Sequence, residues 1–159
     1  MNLPLLIPLG ILAASVGALG SAYTAQYGFD LEPCILCLYQ RVPFLVTGLL
    51  ALVALRVQPG STKTVFVGLA GVVFLVGAGI AAYQVGVEQH WWASGCSGGL
   101  PENLSIADMK QILTQKQPKP CDDVDWTLFG VSMATYNVFY SGLLGLGSLA
   151  AAYRMRSEA

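Results

Sequence analysis

The sequence predicts an all-α membrane protein: a bundle of four transmembrane helices with a long extracytoplasmic loop that carries a short amphipathic helix. Two observations carry this expectation. Hydrophobic residues make up 55% of the 159 residues and charged residues only 11%, against roughly 25% charged in an ordinary soluble domain. Such a chain cannot clothe a soluble surface in polar groups, and it has neither the low hydrophobicity nor the high charge of a disordered one. The charges are also absent from four blocks: Met1 to Phe29, Val42 to Leu55, Thr64 to Val87 and Trp126 to Tyr153. A formal net charge of −1 offers no basic field for a phosphate backbone, which excludes nucleic acid as an expected partner. The expected partner phase is the lipid bilayer.

A helix needs about 20 apolar residues to cross the hydrocarbon core. The first block is expected to span at 6–26. A cleaved signal peptide is the alternative, but there is no basic n-region, and the apolar run exceeds the usual h-region of about 7–15 residues. The second span is expected at 35–55, about 30 Å at 1.5 Å per residue, provided that Arg41 is accepted inside it. Pro43 should kink this helix by removing the bond to the Tyr39 carbonyl. The freed acceptor is tolerated where it packs on protein or lines a cavity. The third and fourth spans are expected at 65–87 and 128–153.

Between the spans lie loops 27–34 and 88–127 on one side. The short loop with Arg56 and Lys63, and the tail with Arg154 and Arg156, lie on the other. The excess of basic residues marks the cytoplasmic side, so both termini should be cytoplasmic. Lys110, Lys116 and Lys119 oppose this, diluted by six acids in the same loop. Within that loop Leu104, Ser105 and Asp108 form a helix-start pattern. Ile106, Met109, Ile112 and Leu113 then share one face, as in a helix lying on the membrane or on its own loop. Small residues at four-residue spacing should let the spans approach closely: Ala13, Gly17 and Ser21; Gly77 and Ala81; Ser141 and Gly145. The whole chain, 1–159, reads as a single membrane domain.

All four cysteines, Cys34, Cys37, Cys96 and Cys121, fall on the outer side of this topology, where disulfides persist. Cys34 and Cys37 lie three residues apart at the mouth of the second span. A disulfide closing so short a loop gains little chain entropy, so a purely structural role explains it poorly. A helix N-terminus also favours thiolates, and Arg41, one turn deeper on the same face, is a cation for them. Cys96 and Cys121 would close a loop of about 25 residues, stabilising by roughly 3 kcal/mol in the entropy model. Two inert structural disulfides are one alternative reading. A zinc site using His90 is another, although the second half lacks paired-ligand spacing.

Three stretches resemble one known family. Pro33-Cys34-Ile35-Leu36-Cys37-Leu38-Tyr39-Gln40-Arg41 resembles the signature of disulfide bond formation protein B, the DsbB family. Gly86-Val87-Glu88-Gln89-His90-Trp91-Trp92 with Cys96-Ser97-Gly98-Gly99 resembles its third-span exit and first loop cysteine. Pro120-Cys121-Asp122-Asp123-Val124 through Phe129-Gly130-Val131-Ser132-Met133 resembles its second loop cysteine and fourth span. The resemblance covers nearly the whole chain.

It implies a protein-dithiol:quinone oxidoreductase in the bacterial inner membrane. Such an enzyme reoxidises a DsbA-like periplasmic thiol oxidase and passes the electrons to membrane quinone, ubiquinone or menaquinone. Carried over, Cys96–Cys121 and Cys34–Cys37 are the redox disulfides. Cys96 takes the partner's thiolate, Cys121 attacks Cys34, and Cys37 is released toward the quinone. Arg41 stabilises that thiolate and the quinone oxygen. His90 is a candidate proton donor, with Gln89 as the alternative at that position and the interfacial aromatic belt as its plainer role. Glu88 either caps or binds Arg41. The family usually places proline where Asp125 stands. Vitamin K epoxide reductases also couple cysteine pairs to quinones, but their CxxC lies on a late span.

Overall fold

The computed structural model describes residues 3–92, 95–96, 119–124 and 126–157. Among them are four long helices: α1 (Leu3–Gly28), α2 (Ile35–Arg56), α3 (Ser61–Glu88) and α4 (Met133–Ser157). A two-stranded ribbon, β1 (Thr127–Leu128) and β2 (Val131–Ser132), precedes α4. The first three helices are long and apolar enough to cross a membrane. α4 has 25 residues, also enough length, but Asn, Ser, Gly and Tyr interleave its leucines. Large apolar side chains such as Leu49, Leu69, Val76 and Leu143 stay exposed around the outside, as a lipid-facing surface requires. The chain is an all-α membrane protein. The expected amphipathic helix around 104–113 and the turn at Asp125 lie outside the described residues.

The fourth helix starts later than its charge-free block. Thr127 pairs with Ser132 and Leu128 with Val131 in an antiparallel ribbon. The two-residue turn between them, Phe129 (φ 52°) and Gly130 (φ 77°), has positive φ at both positions, the turn that matches strand twist. Ser132 Oγ then accepts the Thr135 N–H at 3.3 Å and caps α4. An apolar run alone cannot show that its first residues turn.

Packing runs in series. α1 leans on α2, α2 on α3 and α3 on α4, while α1 and α4 scarcely meet. The core is built from Ile11, Phe44, Ala51, Val67, Ala70, Phe74 and Ala152, with the Phe44 and Phe74 rings edge to face at 5.9 Å. Ser15 and Thr47 hydroxyls join α1 to α2 at 2.8 Å. α3 and α4 meet closely because Gly71 and Gly145 face each other. A Cβ on Gly145 would lie 2.7 Å from Leu75 and 3.1 Å from the Gly71 carbonyl.

One packing expectation is corrected. Ala13, Gly17 and Ser21 are exposed, and a Cβ on Gly17 would meet nothing within 4 Å. α1 uses its other face, through Ile11 and Ser15, so this stripe is not a helix interface. Pro43 is buried against α3, where a Cβ on Gly77 would lie 3.1 Å from it. α2 continues through Pro43; the proline packs on protein, one of the two expected settings, and its neighbours Gln40, Arg41 and Phe44 line a cavity.

Candidate functional site

Antiparallel helices bring the end of α1, the start of α2, the end of α3 and the start of α4 to one end of the bundle. The chemistry-bearing residues gather there. Cys34 is the N-cap of α2: its sulfur accepts the Cys37 N–H at 3.2 Å. The unbonded sulfurs of Cys34 and Cys37 lie 2.6 Å apart. The contact with the Cys37 sulfur, and then burial, push the Cys34 thiol well above its ordinary range.

Cys96 and Cys121 are joined as a disulfide with Cα atoms 5.4 Å apart, and the Cys121 N–H donates to the Cys96 carbonyl at 2.8 Å. Cys34, Cys121 and Val87 form one buried cluster, with Leu36, Cys37 and Cys96 packed against it. The fold therefore brings both cysteine pairs together, although they lie far apart in the sequence. Their exposure differs. Cys121 is 1% exposed, whereas Cys96 is half-buried.

Polar side chains meet the Cys37 sulfur inside the bundle. Gln84 on α3 donates from Nε2 to Cys37 Sγ at 3.3 Å and to Glu88 Oε1 at 3.2 Å. Gln84 Oε1 accepts from Gln40 Nε2, and Gln40 Oε1 accepts from Asn137 Nδ2. Asn137 Oδ1 accepts from the Ser141 hydroxyl at 2.7 Å. Gln40 and Gln84 are both buried. The other Glu88 oxygen, Oε2, is buried without a hydrogen-bond partner among the described residues.

A cavity of about 640 Å³ opens beside this network, between α1, α2 and α4. Its wall includes apolar Ala18, Leu19 and Phe44; Cys37, Gln40, Arg41, Gln84 and Glu88 contribute polar groups, and Glu32, Lys119 and Asp123 line it as well. Tyr140 crosses the α1–α4 gap, donating its hydroxyl to the Ala14 carbonyl at 3.0 Å. Arg41 lines the cavity, but its hydrogen bond goes to Gln26 Oε1 on α1 at 2.6 Å, and its guanidinium lies 5.0 Å from the Tyr23 ring centroid. Glu88 lines the cavity too, and the partner it finds is Gln84, not Arg41.

His90 and Gln89 belong to the helix end. His90 has φ 57°, its N–H donates to the Val87 carbonyl, and the Trp91 N–H reaches the Gly86 carbonyl at 2.9 Å. This is a left-handed helix stop with His90 where glycine is usual. Its exposed ring faces Asp122, 3.8 Å away, and neither His90 nor Gln89 lines the cavity. Trp92 folds back onto Gly86, where its ring fills the space that a Cβ would need.

Gln26, Gln84 and Asn137 escaped the sequence reading, and Gln40 entered it only as part of a motif. The signal was present: each lies in or beside an apolar stretch, where a polar side chain is expensive unless partnered. Nothing in the sequence said that three of them would meet.

A membrane helix bundle with two adjoining cysteine pairs at one end has the makings of an oxidoreductase of disulfide formation. A family model described as "Disulfide bond formation protein DsbB" matches residues 5–151. The chain is 30% identical over 149 residues to "Disulfide bond formation protein B" of Methylobacillus flagellatus, covering 91% of this chain and 90% of that one. It is 34% identical over 125 residues to the protein of that name from Hahella chejuensis, 76% of each. A third, from Acinetobacter baumannii, is 32% identical over 141 residues, 84% of this chain and 82% of the other. No solved structure matches significantly. The chain belongs to the DsbB family.

Proposed function

We propose that this protein reoxidises a DsbA-like thioredoxin-fold thiol oxidase and delivers the electrons to membrane quinone. The observation that carries this reading is the buried contact cluster of Cys34 with Cys121, flanked by Cys37 and Cys96. Disulfide exchange requires an accessible sulfur for the incoming thiolate and a second disulfide within reach of the leaving one. Cys96 is the more exposed member of its pair. The partner's thiolate attacks Cys96, and Cys121 leaves beside Cys34. Cys121 then attacks Cys34 of a Cys34–Cys37 disulfide, and Cys37 leaves as a thiolate. The partner's second thiolate attacks its own sulfur in the mixed disulfide and frees Cys96. The partner is thus oxidised by two electrons, which the cysteines of this chain now hold.

The cavity suits a quinone. It is largely apolar, its volume lies within the usual range of small-molecule sites, and its polar lining includes Cys37 and Arg41. When bound, a quinone supplies the acceptor of two electrons and two protons. Arg41, held by Gln26 and Tyr23, offers donors to an oxygen on the ring, and Phe44 and Tyr140 exclude water. The cysteine end is assigned to the periplasm, and the end with Arg56, Lys63, Arg154 and Arg156 to the cytoplasm of the inner membrane.

The test is turnover of purified protein in lipid nanodiscs with a reduced thioredoxin-fold partner and ubiquinone, followed by quinone absorbance and thiol trapping. Cys34→Ser, Cys37→Ser, Cys96→Ser and Cys121→Ser should each abolish partner oxidation. Wild-type turnover in any one of them removes that cysteine from the relay.

A further inference from the structure

We propose that Gln84 is a positioning residue for Cys37, holding an N–H donor against its sulfur through a directed chain of amides contributed by three helices. The proposal deepens the function above and rests on it for the part Cys37 plays as leaving group.

The direction of the chain follows from its ends. Gln84 faces Glu88 on the same helix face, one turn on, and a carboxylate oxygen accepts. That places Gln84 Nε2 toward Glu88, at 3.2 Å, and toward Cys37 Sγ, at 3.3 Å. The reverse orientation would set the amide oxygen against the carboxylate oxygen. With Nε2 so placed, Oε1 meets Gln40 Nε2. Gln40 Oε1 must then take Asn137 Nδ2, and Asn137 Oδ1 takes the Ser141 hydroxyl. Each of these four links is oriented donor to acceptor toward the sulfur; the protonated Cys37 thiol can itself donate to Gln84 Oε1, at the longer distance of 3.8 Å, a contact that the thiolate gives up. Aligned links polarise one another, and low local dielectric strengthens each.

The placement matters because the guanidinium of Arg41 is engaged elsewhere, with Gln26 and Tyr23. A sulfur that leaves a disulfide acquires negative charge, and a pre-aimed donor stabilises that charge without reorganisation. Gln84 is 5% exposed and Gln40 7%, so both amides are largely withdrawn from solvent although they border the cavity. Burial of Gln84, Gln40 and Ser141, with half-buried Asn137 between them, is costly in an apolar bundle unless their polar atoms are satisfied. Here the chain satisfies them.

The experiment uses the reduced full-length protein in nanodiscs, with neither quinone nor partner. Alkylation of each cysteine at neutral pH is followed by peptide mass spectrometry, and the Cys34–Cys37 dithiol–disulfide equilibrium is measured against glutathione. Gln84→Leu should slow Cys37 alkylation about tenfold and favour the disulfide by about tenfold, the loss of one hydrogen bond to a charged group. Gln84→Glu keeps the acceptor for Gln40 and removes the donor, so it should shift both in the same direction. Asn137→Leu frees Gln40 to turn over and should produce about a threefold change of the same sign, a partial loss of that bond. A merely structural role would loosen the site and speed labelling. The proposal is overturned if Gln84→Leu and Gln84→Glu stay within about twofold of wild type or label faster. Should Gln84→Leu not accumulate, Gln84→Glu and Asn137→Leu decide alone. Since no quinone or partner enters, failure of the electron relay and failure of this proposal are separate results.

Discussion

Among single residues, two side chains make predictions of opposite kind. Cys34 is buried at a helix start where a lone thiol would favour the thiolate. Its contact with Cys37 and its burial push it the other way. A raised value keeps the proton on as pH rises, so Cys34 in the reduced protein should alkylate slowly at about pH 9, where an ordinary thiol near 8.5 is mostly ionised. Rapid labelling of Cys34 there, measured by mass spectrometry, contradicts this environment. Glu88 has a buried oxygen with no partner among the described residues. Glu88→Gln keeps the shape and can still accept from Gln84, so it should leave thermal stability equal or raise it by about 1 kcal/mol. A loss of several degrees in melting temperature would show that the carboxylate has a partner beyond the described residues. The four cysteines and Arg41 were legible as single residues because charge and sulfur stand out in an apolar sequence. Gln84 was not, because an amide carries no such mark until its neighbours are known.

Between helices, close approach decides where the elements touch. Gly145 and Gly147 lie two residues apart on α4, yet a Cβ on the first meets Leu75 and the Gly71 carbonyl, and one on the second meets nothing within 4 Å. Gly145→Ala should therefore destabilise by about 1–3 kcal/mol through overpacking. Gly147→Ala should be neutral or gain up to about 1 kcal/mol of helix propensity. Thermal or denaturant unfolding in detergent separates the two, and equal effects would refute the α3–α4 contact. The spacing of small residues identified Gly77, Ala81, Ser141 and Gly145 as interfacial. It misassigned Gly17 and its neighbours on α1, because periodicity marks a face without saying what covers it. The start of α4 was misjudged for a related reason: Thr127–Ser132 is apolar enough to continue a helix, and the left-handed pair Phe129–Gly130 turns it instead.

Across the bundle as one body, serial packing leaves the α1–α4 seam open, and the cavity occupies it. Arg41 lines that cavity beside Cys37 and is tied to α1 by Gln26. Arg41→Ala should weaken apparent quinone affinity about tenfold or more, the loss of hydrogen bonds to a charged donor, with partner affinity unchanged; steady-state titration of each substrate separates the two. At the opposite end, Lys63 is buried and donates to the Pro4 carbonyl at 3.4 Å, fastening α3 to the first turn of α1. Its neighbour Thr62 is exposed. A cysteine introduced there, Thr62→Cys, should resist a membrane-impermeant maleimide in intact cells and react after lysis. Reaction in intact cells would reverse the proposed orientation.

Composition and spacing along the chain were enough to establish the membrane class, the helices, and the coexistence of a CxxC helix start with a distant cysteine pair. The bilayer demands apolar length, and one helical turn fixes the relation of Cys34, Cys37 and Arg41, so both are written locally. That Cys121 packs beside Cys34 emerged only in three dimensions. So did the alignment of the amides of α2, α3 and α4 with Cys37, the turn of Arg41 toward α1, and the exclusion of His90 from the cavity. Each of these depends on how one helix face is rotated against another. That rotation follows from the summed packing of many small contacts, and no single stretch of sequence contains it.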